Sequence, residues 1–528
     1  MRLTVSLFAG LAVSAIASPI SSIVEISSGR VQGNPPDQTG VRSFKGIPFA
    51  ASPVGENRWK SPQPELAFEG TYNATVYGSS CSGALAGNYM GESPLTAPSE
   101  DCLTVNVWTR ANSTSEKIPT MIWIYGGGFE FGTSAMATYD GSALAREGVV
   151  VVSFNYRLGV LGYLALPELD AEGTMSGNFG LQDQLAAIRW VKKNIAAFGG
   201  DPDNITIWGQ SAGAHSVGLL MASPLSDGLF QKAIIESGAY WDSEHGSIET
   251  FSHARTKGKS FKKKLNVSSI AQLRALPVDT VVNAALWNPS LDPGFTAFAP
   301  NTDKFVVPKE PAEIFDLAQT QQIPLLGGFN AREDLIFDTR ALPHNTSAQY
   351  REAAEAMFTE HSSEFFKLYP GDTEPQATNS AYTLTGDLVI SEQTFEALDR
   401  QARSSSQDVY AYYYNYTSPY SPVAIHTAEI NFVFGNLVPS FSSSESPTAS
   451  DEAFSEKMRK YWTNFAKTGN PNGDGLPKWP EYKGQGEVFL MLGNTIAPIE
   501  NPGQKRFDFI SSLRMNGALP ASWWRQNL

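Results

Sequence analysis

The chain has 528 residues, of which 42% are hydrophobic and 17% charged, a balance that builds a packed core and excludes a disordered chain. Its formal net charge of −14 excludes a protein that captures nucleic acid by neutralising phosphates. The length suits one large domain with insertions, and neither an internal repeat nor a clean boundary divides it.

The N-terminus reads as a leader. Arg2 supplies a positive region, Leu7 to Val13 a short apolar run, and Ala15-Ile16-Ala17 the small residues of a cleavage site. Cleavage is expected after Ala17, because Pro19 would sit badly directly behind a scissile bond. Residues 1–17 are then a signal peptide and residues 18–528 a single secreted domain. The apolar run is too short to span a bilayer, and no later stretch approaches ~20 apolar residues, so no transmembrane anchor is expected. The two cysteines, Cys81 and Cys102, are expected to pair in an oxidising space, restricting the unfolded chain by about 3 kcal/mol. Six N-x-[ST] acceptors, at Asn73, Asn112, Asn204, Asn266, Asn345 and Asn415, are glycosylation candidates in an exported chain.

Pro119 to Tyr125 reads as a buried strand ending in Gly126-Gly127-Gly128. Val149 to Ser153 is a continuous apolar run led by valines, the pattern of a strand covered on both faces. Leu181, Leu185, Ile188, Val191 and Ile195 repeat at helical spacing, and Gly199-Gly200 stops that helix. Ile205 to Gly209 reads as a strand and is followed by a helix from about Ala212. The basic run Lys257 to Lys264 reads as the wet face of a helix. Ile323 to Phe329 reads as a strand, and the Ser-rich stretch Ser442 to Ser450 as a surface loop. Phe454, Met458, Tyr461 and Phe465 mark a second amphipathic helix, closed by Gly469 and Pro471. Strands alternating with helices imply a largely parallel sheet with helices on both faces.

Gly209-Gln210-Ser211-Ala212-Gly213 has the G-x-S-x-G form, a tight strand-to-helix turn that pushes a serine hydroxyl into a cleft. Glycine is 45 of 528 residues, so chance alone gives about 0.4 such pentapeptides in a chain this long. The strand before it and the helix after it are what separate signal from chance. A serine needs a base, and six histidines are available. His215 lies inside the following helix, and His245, His253, His344 and His361 lie in polar stretches. His426, between apolar Val423-Ala424-Ile425 and the hydrophobic segment Ile430 to Phe434, is the candidate, in the order serine, acid, histidine. The acid follows the strand Ile323 to Phe329, where either Glu333 or Asp334 can serve on physical grounds. Gly126-Gly127-Gly128 and the amide of Ala212 are candidate donors to a developing oxyanion. No H-E-x-x-H and no clustered cysteines or histidines signal a metal.

Further segments carry a resemblance. Gly46-Ile47-Pro48-Phe49-Ala50, Ser99-Glu100-Asp101-Cys102-Leu103 with Val105-Asn106-Val107, and Gly126 to Phe129 come first. Gly177-Asn178-Phe179-Gly180-Leu181-Gln182-Asp183-Gln184, the Gly209 to Gly213 turn, His426 with Glu429-Ile430, Phe432 to Gly435 and Gly469-Asn470-Pro471 follow. With these, nearly the whole chain resembles the type-B carboxylesterase/lipase family. The resemblance implies an α/β-hydrolase fold with a mostly parallel central sheet and helices on both faces. It implies a serine carboxylic ester hydrolase with Ser211, Glu333 and His426 as triad, Gly127, Gly128 and Ala212 as oxyanion hole, and Cys81–Cys102 as the first family disulfide. The G-x-N-x-x-E-G pattern of the family selects Glu333, and Asp334 stands where that pattern ends in glycine. Aspartate tolerates a left-handed backbone, so the loop is expected to survive. Tyr125 stands where many members have histidine, and Ser237 resembles a serine near the family triad. The partner is then a small-molecule or lipid ester, with no cofactor, no metal and no nucleic acid.

The cysteine loop from Ser82 to Asp101 has no tryptophan and one aromatic residue, Tyr89, which argues against a choline cage. Its apolar residues Leu85, Tyr89, Met90 and Leu95 form no broad stripe, which favours a general carboxylesterase over an interfacially activated lipase. Lipase, aryl (feruloyl-type) esterase and non-catalytic binding protein are the alternatives.

Overall fold

The computed structural model describes residues 20–83, 92–173, 175–239, 248–286, 298–336, 341–438, 445–484 and 486–519. The expected leader, His245 and the loop residues Leu85, Tyr89 and Met90 lie outside them.

Ten strands form the main sheet: β1 (Arg42–Pro48), β2 (Thr104–Thr109), β3 (Ile118–Ile124), β4 (Val150–Phe154), β5 (Gly200–Gln210), β6 (Lys232–Glu236), β7 (Leu325–Asn330), β8 (Val409–Tyr414), β9 (Val488–Leu492) and β10 (Ile496–Glu500). Their order across the sheet is β10-β9-β8-β7-β6-β5-β3-β4-β2-β1. Pairing is parallel from β9 through to β4 and antiparallel at both margins. Every residue of β4 and β6 is buried, as expected of strands covered on both faces. This is the α/β-hydrolase architecture. The sequence-predicted strands sit at β3, β4, β5 and β7, each displaced at its ends by a residue or more; β5 starts earliest against expectation, at Gly200.

Six helices frame the site: α1 (Phe179–Asn194), α2 (Ala212–Met221), α3 (Phe251–Lys264), α4 (Glu374–Gly386), α5 (Ala428–Phe434) and α6 (Ala449–Thr468). Near the start of α1, Asp183 is wholly buried and takes two 2.7 Å hydrogen bonds from the Arg157 guanidinium, tying the helix to the chain leaving β4. Burial raises the Asp183 carboxyl, and Arg157 works against that rise. A pair this deep is costly to split, because the remaining charge has no solvent.

Three fully buried rings join the catalytic strands to α5. Trp123 of β3 lies 4.4 Å from Trp208 of β5, and Phe434 of α5 lies 5.1 and 4.9 Å from the two. Each such ring contributes about 1.5–3 kcal/mol on burial, so the segment after position 426 is clamped to the strand before position 211. A smaller core, including Tyr350, Phe365 and Phe509, lies beside α4.

Two expectations need correction. The basic run on α3 is not uniformly wet: Lys257 is buried and donates to Glu249 at 2.7 Å, because its position faces the protein. The Ser-rich stretch is not all loop: Thr448 caps α6, which already includes Ala449 and Ser450; residues 439–444 lie outside the described set. Cys81 and Cys102 are joined as a disulfide, with Cα atoms 5.0 Å apart. Among the described residues, no helix is long and apolar enough to cross a membrane.

Candidate active site

The sharpest turn in the sheet follows β5. Ser211 has φ 56° and ψ −125°, a conformation that a non-glycine residue holds only when its surroundings enforce it. The enforcement is visible. The Ser211 amide donates to Glu236 O at 2.9 Å, and Ser211 O accepts from the His215 amide at 2.9 Å, starting α2. A Cβ on Gly209 would lie 2.6 Å from the Gly213 backbone, and one on Gly213 only 1.9 Å from Ile124 O. Both glycines are therefore required by volume: the helix leaves the strand too closely for any side chain.

The glycine triplet after β3 lies against this turn. A Cβ on Gly126 would stand 2.9 Å from Ser211 Cβ. Gly127 and Gly128 have φ of +114° and +60°, and Gly128 is exposed with nothing within 4 Å of its Cβ position. The base of the triplet is braced: Tyr156 Oη donates to Tyr125 O at 2.8 Å, and the two rings stack at 4.6 Å. Position 125 thus supports the turn through its carbonyl and ring.

His426 is buried between Ile425 and α5, and its Nδ1 lies 2.5 Å from Glu333 Oε2. An ionised carboxylate can only accept, so Nδ1 carries the proton and Nε2 is left as the basic nitrogen. The other oxygen, Glu333 Oε1, accepts from the Asn330 amide at 2.5 Å. The acid loop and the histidine loop are stapled together. The Arg332 amide donates to Ala424 O at 2.9 Å, and Asn330 Nδ2 donates to Ile425 O at 2.7 Å. The histidine peptide is also tied to the turn residue preceding the serine, since Gln210 Nε2 donates to His426 O at 2.6 Å.

Asp334 departs from the expected backbone. It lies in a single 3₁₀ turn, Glu333–Ile336, and has no positive φ. No left-handed residue is needed there, so a side chain at 334 costs nothing in strain. Its buried carboxylate is matched by Arg332 at 3.0 and 3.1 Å. Of the two adjacent carboxylates, only Glu333 meets the histidine. Helix α4 approaches this loop through Gly386, where a Cβ would lie 3.2 Å from Glu333 Cβ.

Two further carboxyls, Glu236 and Glu429, stand behind the pair, and the sequence reading gave them no role. Glu236 ends β6 and accepts from Trp462 Nε1 at 2.6 Å; Glu429, on α5, accepts from Asn330 Nδ2 at 2.5 Å. Both are wholly buried. Burial pushes Glu236 up to about 8 and Glu429 well above the usual carboxylate range, the latter further raised by Glu236 and Glu333. Both shifts favour the neutral acid in that dry space behind the Glu333–His426 pair. The available signal was a glutamate closing the apolar run Ala233-Ile234-Ile235 and another opening the mostly apolar segment Glu429 to Phe434. Ser237, with φ 53°, follows Glu236 and its amide donates to Gly328 O. Of the other described histidines, His253 is on α3, His344 packs on Tyr382 and His361 lies by Glu360, while His215 sits one helical turn after Ser211 in α2.

A strained serine beside a glycine turn, with a carboxylate-held imidazole tied to the same strand end, can perform nucleophilic acyl transfer. Comparison with known proteins points the same way. Residues 20–510 match the carboxylesterase family. The chain is 35% identical to fumonisin B1 esterase of Sphingopyxis macrogoltabida over 488 residues, covering 90% of this chain and 87% of that protein. It is 34% identical to para-nitrobenzyl esterase of Bacillus subtilis, covering 91% and 96%. A solved carboxylesterase from Geobacillus stearothermophilus superposes with a TM-score of 0.78 at 32% identity, covering 93% of this chain and all of that one (100%).

Proposed function

The chain belongs to the carboxylesterase family, and from that premise we propose that it hydrolyses small carboxylic esters through an acyl-enzyme on Ser211. His426 Nε2 removes the hydroxyl proton as Ser211 Oγ bonds to the ester carbonyl carbon. The amides of Gly127, Gly128 and Ala212 hold the oxyanion; losing one such donor typically costs about 2.7–4 kcal/mol of barrier. The C–O bond to the alcohol breaks, and the alcohol leaves with the proton from His426. Water then repeats the sequence and frees the acid. Glu333 keeps the imidazole in the productive tautomer and stabilises its cation.

The observation that carries this reading is the 2.5 Å contact between Glu333 and His426 in a loop pair bound to the residue next to Ser211. The general-esterase preference rests on the short cysteine loop, without tryptophan, and neither relative described above is named for a lipid. The leader pattern supports export after cleavage at Ala17, as one mature domain from residue 18. The substrate test is a series of p-nitrophenyl esters from acetate to palmitate, measured below and above the micelle limit. Highest kcat/KM on short acyl chains, with no jump at the interface, is expected; a jump would make the enzyme a lipase.

A further inference from the structure

The six sequons are equivalent as sequence but not in the fold. Asn204 lies half-buried in β5, and both ends of its side-chain amide are tied: Oδ1 accepts from Lys232 Nζ of β6, and Nδ2 donates to Lys467 O near the end of α6 at 3.3 Å. The hydroxyl residue of its sequon, Thr206, is wholly buried. The amide ties β5 to β6 and to the end of α6, and a sugar on Nδ2 would have to fit between these elements beside the Lys467 carbonyl. Asn415 leaves β8 half-buried. Its Oδ1 is pressed on Gly493, where a Cβ would come within 2.2 Å of it, and its backbone amide donates to Leu492 O at 3.0 Å.

The other four are exposed, and each has a local reason to point outward. Asn73 ends an edge strand, Thr71–Asn73, and its Oδ1 accepts from the Thr75 amide and hydroxyl, so that bonding occupies the oxygen and not Nδ2. Asn112 lies just before an exposed turn bonded through its backbone to Glu116. Asn266 follows α3 in a left-handed conformation, φ 53°, its amide donating to Lys263 O. Asn345 precedes Thr346, the capping residue of the helix Ser347–Phe358, and so stands outside that helix.

We propose that the folded chain carries N-linked glycans at sites drawn from Asn73, Asn112, Asn266, Asn345 and Asn415, and never at Asn204. The inference rests on the export reading above, because the donor is a lipid-diphosphate-linked oligosaccharide of the secretory pathway. In the transfer, the bond from sugar C1 to the phosphate oxygen breaks, a C1–Nδ2 bond forms, Nδ2 loses a proton and the lipid diphosphate leaves. The transferase meets an unfolded chain and reads only the sequon. The fold then acts as the filter: a chain glycosylated at Asn204 cannot close β5 against Lys232 and α6, and drops out of the folded pool.

The test is secretion of the full mature chain from a yeast behind a host leader, which removes dependence on residues 1–17. The esterase-active fraction is deglycosylated by amidase in H₂¹⁸O, and labelled aspartates are mapped by mass spectrometry. Label at one or more of the five proposed positions, and none at Asn204, is the expected result. Label at Asn204, or at none of the five, overturns the proposal. A second arm uses Thr206→Val, which deletes the Asn204 sequon without touching its amide; the Thr206 hydroxyl has no hydrogen-bond partner among the described residues. Glycan mass should be unchanged in this variant, and loss of one glycan overturns the filter.

Discussion

The two halves of the site are built by opposite means. The serine half is local: five consecutive residues, two of them glycines with no room for a Cβ, force one backbone turn. The acid–base half is assembled from distant segments, with Glu333 after β7, His426 before α5, and Glu236 and Glu429 behind them. The first half is sensitive to volume. The second is sensitive to charge, because two carboxyls shifted toward the neutral form stand behind the Glu333–His426 pair in one dry space. A fold can therefore keep a nucleophile in place by sterics alone, while its activation depends on where protons sit.

Substitutions can break that contrast. The largest effect is expected from Ser211→Ala, which should lower kcat by about 10⁶ while the protein stays folded; p-nitrophenyl acetate turnover checks it, and unchanged turnover would remove the mechanism. Glu333→Gln should lower kcat by about 10⁴ with near-normal KM and unaltered near-ultraviolet dichroism, because the amide keeps the side-chain volume but favours the wrong imidazole tautomer and no longer stabilises its cation. A loss of less than tenfold would mean that another carboxyl holds His426. On the serine side, Gly213→Ala should destabilise by about 3 kcal/mol or prevent folding, read by denaturant midpoint, since its Cβ would sit 1.9 Å from Ile124 O. Normal stability in that variant would show the elbow to be looser than drawn.

A milder variant sharpens the charge side. Glu236 is raised to about 8 in the fold, from an ordinary value of 4.5. The folded state thus holds a proton that the unfolded chain has released. Stability should fall as pH climbs from about 4.5 to about 8 and then level off. Glu236→Gln lacks this loss, so its stability relative to wild type should grow across that window; parallel curves would place the proton elsewhere. The smallest effect is expected from Asp334→Gly. It removes a pair with Arg332, whose side chain is about one-third exposed (32%), so the cost should stay under about 1 kcal/mol by thermal melt, with turnover retained.

Legibility in the sequence followed the same division. The elbow, the strands around it and helices α1, α2 and α6 were readable because periodicity and crowded glycines are local signals. Choosing Glu333 over Asp334 was not possible from residue type: both are buried carboxylates, and the choice is made by a contact with a residue ninety-three positions away. The loop at position 334 forms as expected, but the reason was not readable, since its backbone follows the 3₁₀ turn that buries Glu333. Glu236 and Glu429 were passed over because a carboxyl's charge state depends on neighbours that spacing does not reveal. Lys257 repeats the lesson on α3, where a basic run hid one buried ion pair.

The most direct measurement is covalent trapping with an organophosphate such as diisopropyl fluorophosphate, followed by peptide mapping. One phosphoryl group on Ser211, gained in step with loss of esterase activity and slowed in Glu333→Gln, is the predicted result. Full inactivation with the label on another residue, or full activity with Ser211 labelled, would contradict the assignment of the nucleophile.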